Sequence, residues 1–164
     1  SMFGGWWSDR DITVACDGDD PNTFIFCDQS VLGIPYRNNF KLAGSLPLPL
    51  DIQLGVSVQS YAGNPLTVSW SVPANLFPGG RTQPVTVPLV PAGDKYLDRW
   101  TQVDASVKKL FTLGKHRIEG SIDLFNALNS NVVLQRNQAF GATLDQPQQI
   151  LQPRLIRLSA QWKF

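Results

Sequence analysis

The sequence predicts an all-β, antiparallel fold made of the long amphipathic strands of an outer-membrane-type β-barrel. Three observations point there. Apolar side chains recur at every second position in five segments, each about ten residues long, which suits a tilted membrane strand better than the shorter strands of soluble sheets. The connections between these segments alternate between very short and very long, as in barrels with short turns on one side and long loops on the other. The chain also ends on an aromatic residue, Phe164, at the close of a fully alternating strand, where chain ends usually fray.

Each element can be justified in turn. Residues 1–36 read as an extracellular-type loop bearing two cysteines, and 37–164 as barrel strands, within a single β domain of 164 residues. In the first strand Phe40, Leu42 and Leu46 lie across from Lys41, Ala43 and Ser45. A short turn at 47–51 leads to the second, where Ile52, Leu54, Val56 and Val58 oppose Gln53, Ser57 and Gln59. The long loop 63–97 follows. Its prolines (Pro65, Pro73, Pro78, Pro84, Pro88, Pro91) remove ladder donors and forbid a central strand. Two brief alternating runs inside it, Val68–Val72 and Val85–Leu89, suit a hairpin extended beyond the membrane or extra strands of another fold. Thr101, Val103, Ala105, Val107 and Phe111 oppose Gln102, Asp104, Ser106 and Lys108 in the third strand. Gly114 can supply the positive φ of the tight turn that follows. Ile118, Ile122 and Leu124 then oppose Arg117, Glu119, Ser121 and Asp123. After a loop at 129–153, the last strand sets Ile156, Leu158, Ala160, Trp162 and Phe164 against Arg157, Ser159, Gln161 and Lys163.

Composition narrows the function classes. Charged residues make up 16% of the chain, against about 25% in soluble domains. A formal net charge of +1, with no basic cluster longer than two residues, gives no footprint for nucleic acid. No apolar run is long enough for a transmembrane helix, but strands hide their apolarity in alternation. No secretory signal is visible. Ser1-Met2 reads as a cleavage remnant before a start methionine, so the export signal of a parent protein is expected upstream.

Few residues carry candidate chemistry. Cys16 and Cys27 are the only cysteines, and in an exported protein such a pair within one loop favours a disulfide. Around them Asp17, Asp19, Asp20 and Asp28 gather hard oxygen ligands of the kind Ca²⁺ takes. The spacing lacks the bidentate Glu of an EF-hand, and Asp and Gly are also the commonest turn formers. His116 is the sole histidine and falls at a turn; no nucleophile elbow accompanies it, and one His with two bridged cysteines cannot hold zinc. Asp104, Glu119 and Asp123, with Lys108, Arg117 and Arg157, suit a lumen-facing ladder of cross-strand ion pairs better than an acid–base pair. Asn126 and Asn129 are expected to end their strand and shape the next loop. Trp6, Trp7, Tyr36, Tyr61, Tyr96, Trp100 and Trp162 fall near strand ends. They are expected to form an aromatic belt at the water–lipid boundary, although a sugar-binding platform would use the same residues.

Several stretches resemble the carboxy-terminal strands of TonB-dependent outer-membrane receptors, most of all the Oar-like group of soil bacteria such as acidobacteria. They are YLDRWTQVDASVKKLF (96–111), GSIDLFNALNSN (120–131) and ILQPRLIRLSAQWKF (150–164), with 40–66 resembling the preceding hairpin. The resemblance implies a segment of a barrel of about 22 strands in the outer membrane of a Gram-negative bacterium. Its partners would be the remaining strands and plug of the parent, outer-membrane lipid and the barrel-assembly machinery. Arg157, Trp162 and Phe164 would carry the assembly signal. The parent would be a transporter of a scarce nutrient, but neither plug nor energy-coupling segment is found in these residues. A fragment of this kind, with unpaired edges and an apolar face, is expected to self-associate when isolated.

Two other readings use the same residues. About eight strands, counting one near Ile12–Cys16, would close a small barrel around an apolar ligand. A calcium-assisted hydrolase would rest on the Asp loop alone.

Overall fold

The computed structural model describes residues 1–17 and 24–163, apart from the side chain of Lys163. Ten strands follow in chain order: β1 (Met2–Asp9), β2 (Arg37–Leu48), β3 (Ile52–Tyr61), β4 (Ser69–Val72), β5 (Val85–Pro88), β6 (Trp100–Leu113), β7 (His116–Phe125), β8 (Val133–Arg136), β9 (Pro147–Ile150) and β10 (Leu155–Lys163). Six of them make one sheet in the order β1-β2-β3-β6-β7-β10, and the rest form two separate hairpins, β4-β5 and β8-β9. Every neighbouring pair of the large sheet is antiparallel.

Register follows from the alternation. Leu42 pairs with Val58, Val58 with Val103, Val107 with Ile122 and Ile122 with Leu158, so the apolar positions of all the long strands share one face. The opposite face collects Lys41, Gln59, Gln102, Asp104, Asp123 and Arg157. A slip of one residue in any pairing would exchange the faces, so the shared apolar side fixes the register.

The two ends of the sheet differ. At one end β2 turns into β3 through three residues, with Leu50 (φ 67°) and Asp51 (φ 56°) left-handed, and β6 turns into β7 through Gly114 (φ 63°). All long connections leave the other end, where they build a cap. The buried apolar residues Ile34, Val72, Val85, Leu97 and Leu151 belong to this cap and its edges. Beneath the sheet's apolar face no second layer is packed among the described residues. Leu158 is 73% exposed, Trp6 68% and Trp162 65%.

Some expectations need correcting. Residues 1–36 are not loop throughout, because β1 pairs with β2 from Met2↔Gly44 to Asp9↔Arg37. Its sequence, MFGGWWSD, does not alternate, and Gly4 takes a position where a neighbouring strand approaches closely. A Cβ on Gly4 would lie 2.8 Å from Leu42 Cδ1 and 3.1 Å from the Lys41 carbonyl oxygen. The stretch Ile12–Cys16 makes only an isolated bridge, Val14 with Asp28. The runs in loop 63–97, by contrast, take the hairpin arrangement expected for them, β4 pairing with β5 outside the main sheet. Among the described residues β1 and β10 remain unpaired edges, so no closed barrel forms.

Candidate functional site

The polar face is organised around a buried hydrogen-bond cluster. Asn126 follows the last residue of β7 in the left-handed region (φ 48°), which asparagine tolerates better than most residues. Its side chain is 2% exposed. Nδ2 donates to the carbonyls of Ser130 (2.9 Å) and Gln152 (2.7 Å), and Oδ1 accepts from the Ser130 amide (2.9 Å). Its own amide donates to Asp104 Oδ1 at 2.9 Å, and Gln102 Nε2 donates to the same carboxylate at 2.8 and 3.0 Å. Asn126 thus ties β6, the loop after β7 and the approach to β10 together. Asn129 (φ 52°) continues this turn, and its Oδ1 accepts from the Arg154 amide at 3.1 Å.

The charges on this face form no simple ladder. Arg157 on β10 pairs with Asp123 on β7, with Nη2 at 3.0 Å and Nε donating at 3.1 Å to Oδ2, and its guanidinium lies 5.1 Å from the Phe125 ring centroid. Asp104 is held by amides instead. The expected ion-pair ladder is therefore partly a hydrogen-bond network, because Asp104 stands opposite Ser57 in the register rather than a cation.

The aromatic residues divide between the faces, which corrects the single belt. Trp6 and Trp162 lie on the apolar face, Trp162 with its ring edge-to-face to His116 at 5.6 Å. Trp7, Tyr61 and Trp100 lie on the polar face at the loop end. Tyr61 stacks on Trp100 with centroids 4.7 Å apart and 22° between planes, and Trp7 meets Tyr61 at 5.6 Å and 69°. The reason is parity. Tyr61 stands three residues beyond Val58 and Trp100 three before Val103, so both point away from the apolar side. Tyr36 and Tyr96 lie in the loops.

Beside Trp100 a cleft of about 490 Å³ opens between the two capping loops. Asn64, Asp98, Gln135, Gln138 and Gln149 line it with Trp100. The walls are tied together: Thr67 Oγ1 donates to Gln138 Oε1 at 2.6 Å, the Ser69 amide to the Gln138 carbonyl at 3.0 Å, and Trp70 packs edge-to-face on Phe140 at 5.9 Å. A second cavity of about 460 Å³, bordered by Gln102, Phe125 and Arg157, shares Leu134 and Gln149 with the first.

In the amino-terminal loop Cys16 and Cys27 are joined by a disulfide, with Cα atoms 5.1 Å apart. The Ala15 amide donates to the Cys27 carbonyl at 3.0 Å and the Gln29 amide to the Thr13 carbonyl at 3.0 Å, so backbone pairing supports the bridge. Asp28 caps the short turn Gln29–Val31: its Oδ1 accepts from Ser30 Oγ at 2.5 Å and from the Ser30 amide at 2.9 Å. These bonds, the hydroxyl's first, hold its carboxyl below the usual carboxylate range. Of the proposed calcium ligands, Asp19 and Asp20 lie outside the described residues, as does Phe164 of the terminal motif. Among the described residues no group of three or more His, Cys, Asp or Glu side chains is placed to hold a metal.

No protein-family model, curated protein or solved structure matches this chain. The receptor resemblance rests on the residues quoted for it.

Proposed function

We propose that this chain is a six-stranded segment of a larger outer-membrane β-barrel, the carboxy-terminal part of a TonB-dependent receptor for a nutrient. The observation that carries the proposal is the uncovered apolar face, combined with a cap built only from the long connections at one end. A soluble sheet buries that face against another layer. Lipid is the solvent that satisfies it without one.

The dimensions agree with a membrane. From Phe40 to Leu48 the apolar positions of β2 run about 27 Å along the strand at ~3.4 Å per residue. With a tilt of about 40° that spans roughly 20 Å, near the ~25 Å apolar band of such barrels. Trp6 and Phe40 stand toward the loop end of the apolar face, and Phe111 and Trp162 toward the turn end, the positions of two interfacial girdles. In the row of Trp6 and Phe40, β3 and β6 turn polar, with Ser60 Oγ and Thr101 Oγ1 3.0 Å apart.

On this reading the polar face looks into the lumen and the cap faces outside the cell. Because β1 and β10 run in opposite directions, an even number of further strands closes the sheet with its alternation intact. Light scattering with and without mild detergent tests the proposal. The expected result is a large self-associated species in buffer and a small, uniform one in detergent. A uniform 18.1 kDa monomer in detergent-free buffer would contradict it.

A further inference from the structure

We infer that the cleft beside Trp100 binds a neutral oligosaccharide, with Trp100 as the stacking surface and the surrounding amides as hydroxyl partners. The inference deepens the receptor reading and rests on it, since it supplies that receptor's ligand class. Three observations carry it.

The first is the placement of the aromatic trio. Trp7, Tyr61 and Trp100 lie on the polar face, where a lipid-interface role does not apply to them. Tyr61 is gripped between the two tryptophans, with Trp100 stacked on it at 4.7 Å. The trio is therefore pre-ordered, and Trp100 extends from it into the cleft wall. A rigid aromatic surface receives the flat C–H face of a pyranose ring with little ordering cost.

The second is the chemistry of the polar lining. Asn64, Gln135 and Gln149 each carry a carbonyl acceptor and an NH₂ donor, so each can address two neighbouring hydroxyls at once, and Gln138 offers its NH₂ donor. Gln138 is already oriented, its carbonyl oxygen accepting from the Thr67 hydroxyl and amide. Asp98 adds one strong acceptor. Among the described residues no basic side chain lines this cavity. In this cavity an anionic ligand, such as a ferric chelate of carboxylates, would meet a carboxylate and no cation, and Arg157, which borders the neighbouring cavity, is already paired with Asp123. A neutral polyol meets partners for most of its hydroxyls.

The third is extent. A cavity of about 490 Å³ is within the range of small-molecule sites. It continues through Leu134 and Gln149 into the neighbouring cavity, which offers Phe125 as another aromatic wall and Gln102 as another amide. The groove thus has room for more than one ring, and it lies at the mouth of the lumen-type face.

The test is intrinsic-fluorescence and calorimetric titration of the full chain, folded in detergent, with maltohexaose, cellohexaose, xylohexaose and ferric citrate. At least one hexasaccharide should bind, and ferric citrate should not. Trp100→Ala should weaken that binding about tenfold or more, the loss of one aromatic stack and its shape. Gln149→Ala should weaken it too, and it guards against misfolding of the tryptophan variant because Gln149 lies on the exposed strand β9. Trp162→Phe, on the opposite face, should bind as the parent chain does. Failure of all three sugars with the natural chain folded by circular dichroism would overturn the inference. So would binding of ferric citrate in their place, or unchanged sugar binding in both cleft variants. Lipid contact, measured separately at Trp6 and Trp162, decides the barrel reading, so a failure of one is distinguishable from a failure of the other.

Discussion

At the scale of single residues, Asn126 joins three parts of the chain through one buried side chain and its amide. It ends β7, adopts a left-handed backbone and donates to the carbonyls of Ser130 and Gln152. Replacing it with alanine removes these bonds and leaves in the left-handed region a residue that tolerates it less well than asparagine. A loss of about 4 kcal/mol is expected, combining three bonds of about 1 kcal/mol each with a backbone penalty of about 1 kcal/mol. Asn126→Gly keeps the backbone and loses only the bonds, so it should cost about 3 kcal/mol. Thermal unfolding in detergent, followed by circular dichroism, checks the order of the two. Equal losses would mean that the left-handed backbone carries no cost.

Leu50 poses the opposite case. It sits at φ 67° and is 77% exposed in the turn between β2 and β3, with no burial to compensate the conformation. Leu50→Gly should stabilise the chain by about 1 kcal/mol, read in the same unfolding measurement. A destabilised variant would show that Leu50 makes a contact worth more than its strain.

At the scale of elements, the disulfide loop is a unit of its own. Reduction of Cys16–Cys27 should release a loop whose closure is worth about 3 kcal/mol in the chain-entropy model. Because β1 and β2 pair independently of it, limited proteolysis after reduction should cut within 10–36 and leave the six-stranded sheet intact. Loss of the whole β signal would contradict that independence. Acid acts on the same loop through Asp28. Its carboxyl is depressed in the folded chain, so its contribution is complete above the unfolded value of 3.8 and fades as pH falls through the lower folded value.

How much of these elements was legible follows from period. The five alternating strands, their common face and both short turns could be read from position alone, since side chains two apart must share a side. β1 could not, because MFGGWWSD has two glycines and two adjacent tryptophans where an alternating pattern would be read, and the close approach at Gly4 is not visible in sequence. The division of the aromatics was legible in principle. Counting three residues from Val58 to Tyr61, and from Trp100 to Val103, assigns both to the polar face. Proximity to strand ends, the cue used instead, says nothing about side. The cleft was not legible, since Asn64, Trp100 and Gln149 meet only through loops whose hydrogen bonds join positions up to 71 residues apart.

At the scale of the whole molecule, the hydrophobic residues lie where a soluble domain would not leave them. The buried apolar side chains lie in and around the loop cap, while the sheet's apolar face is open from Trp6 to Trp162. An area of that kind on a soluble monomer marks an interaction surface or an aggregation hazard. On the proposed barrel reading, lipid covers this face. On the same reading the hydrogen-bond cluster on the other side serves a second purpose, holding the polar face and the border of the second cavity in one arrangement.

The most direct measurement uses the tryptophans, which the fold distributes across both faces. Single-tryptophan variants retaining Trp6, Trp162, Trp7 or Trp100 are reconstituted in vesicles whose lipids carry bromine on the acyl chains. Strong quenching of Trp6 and Trp162, with Trp7 and Trp100 spared, is the result this account predicts. Equal quenching of all four, or quenching confined to Trp7 and Trp100, would place the wrong face toward lipid and contradict it.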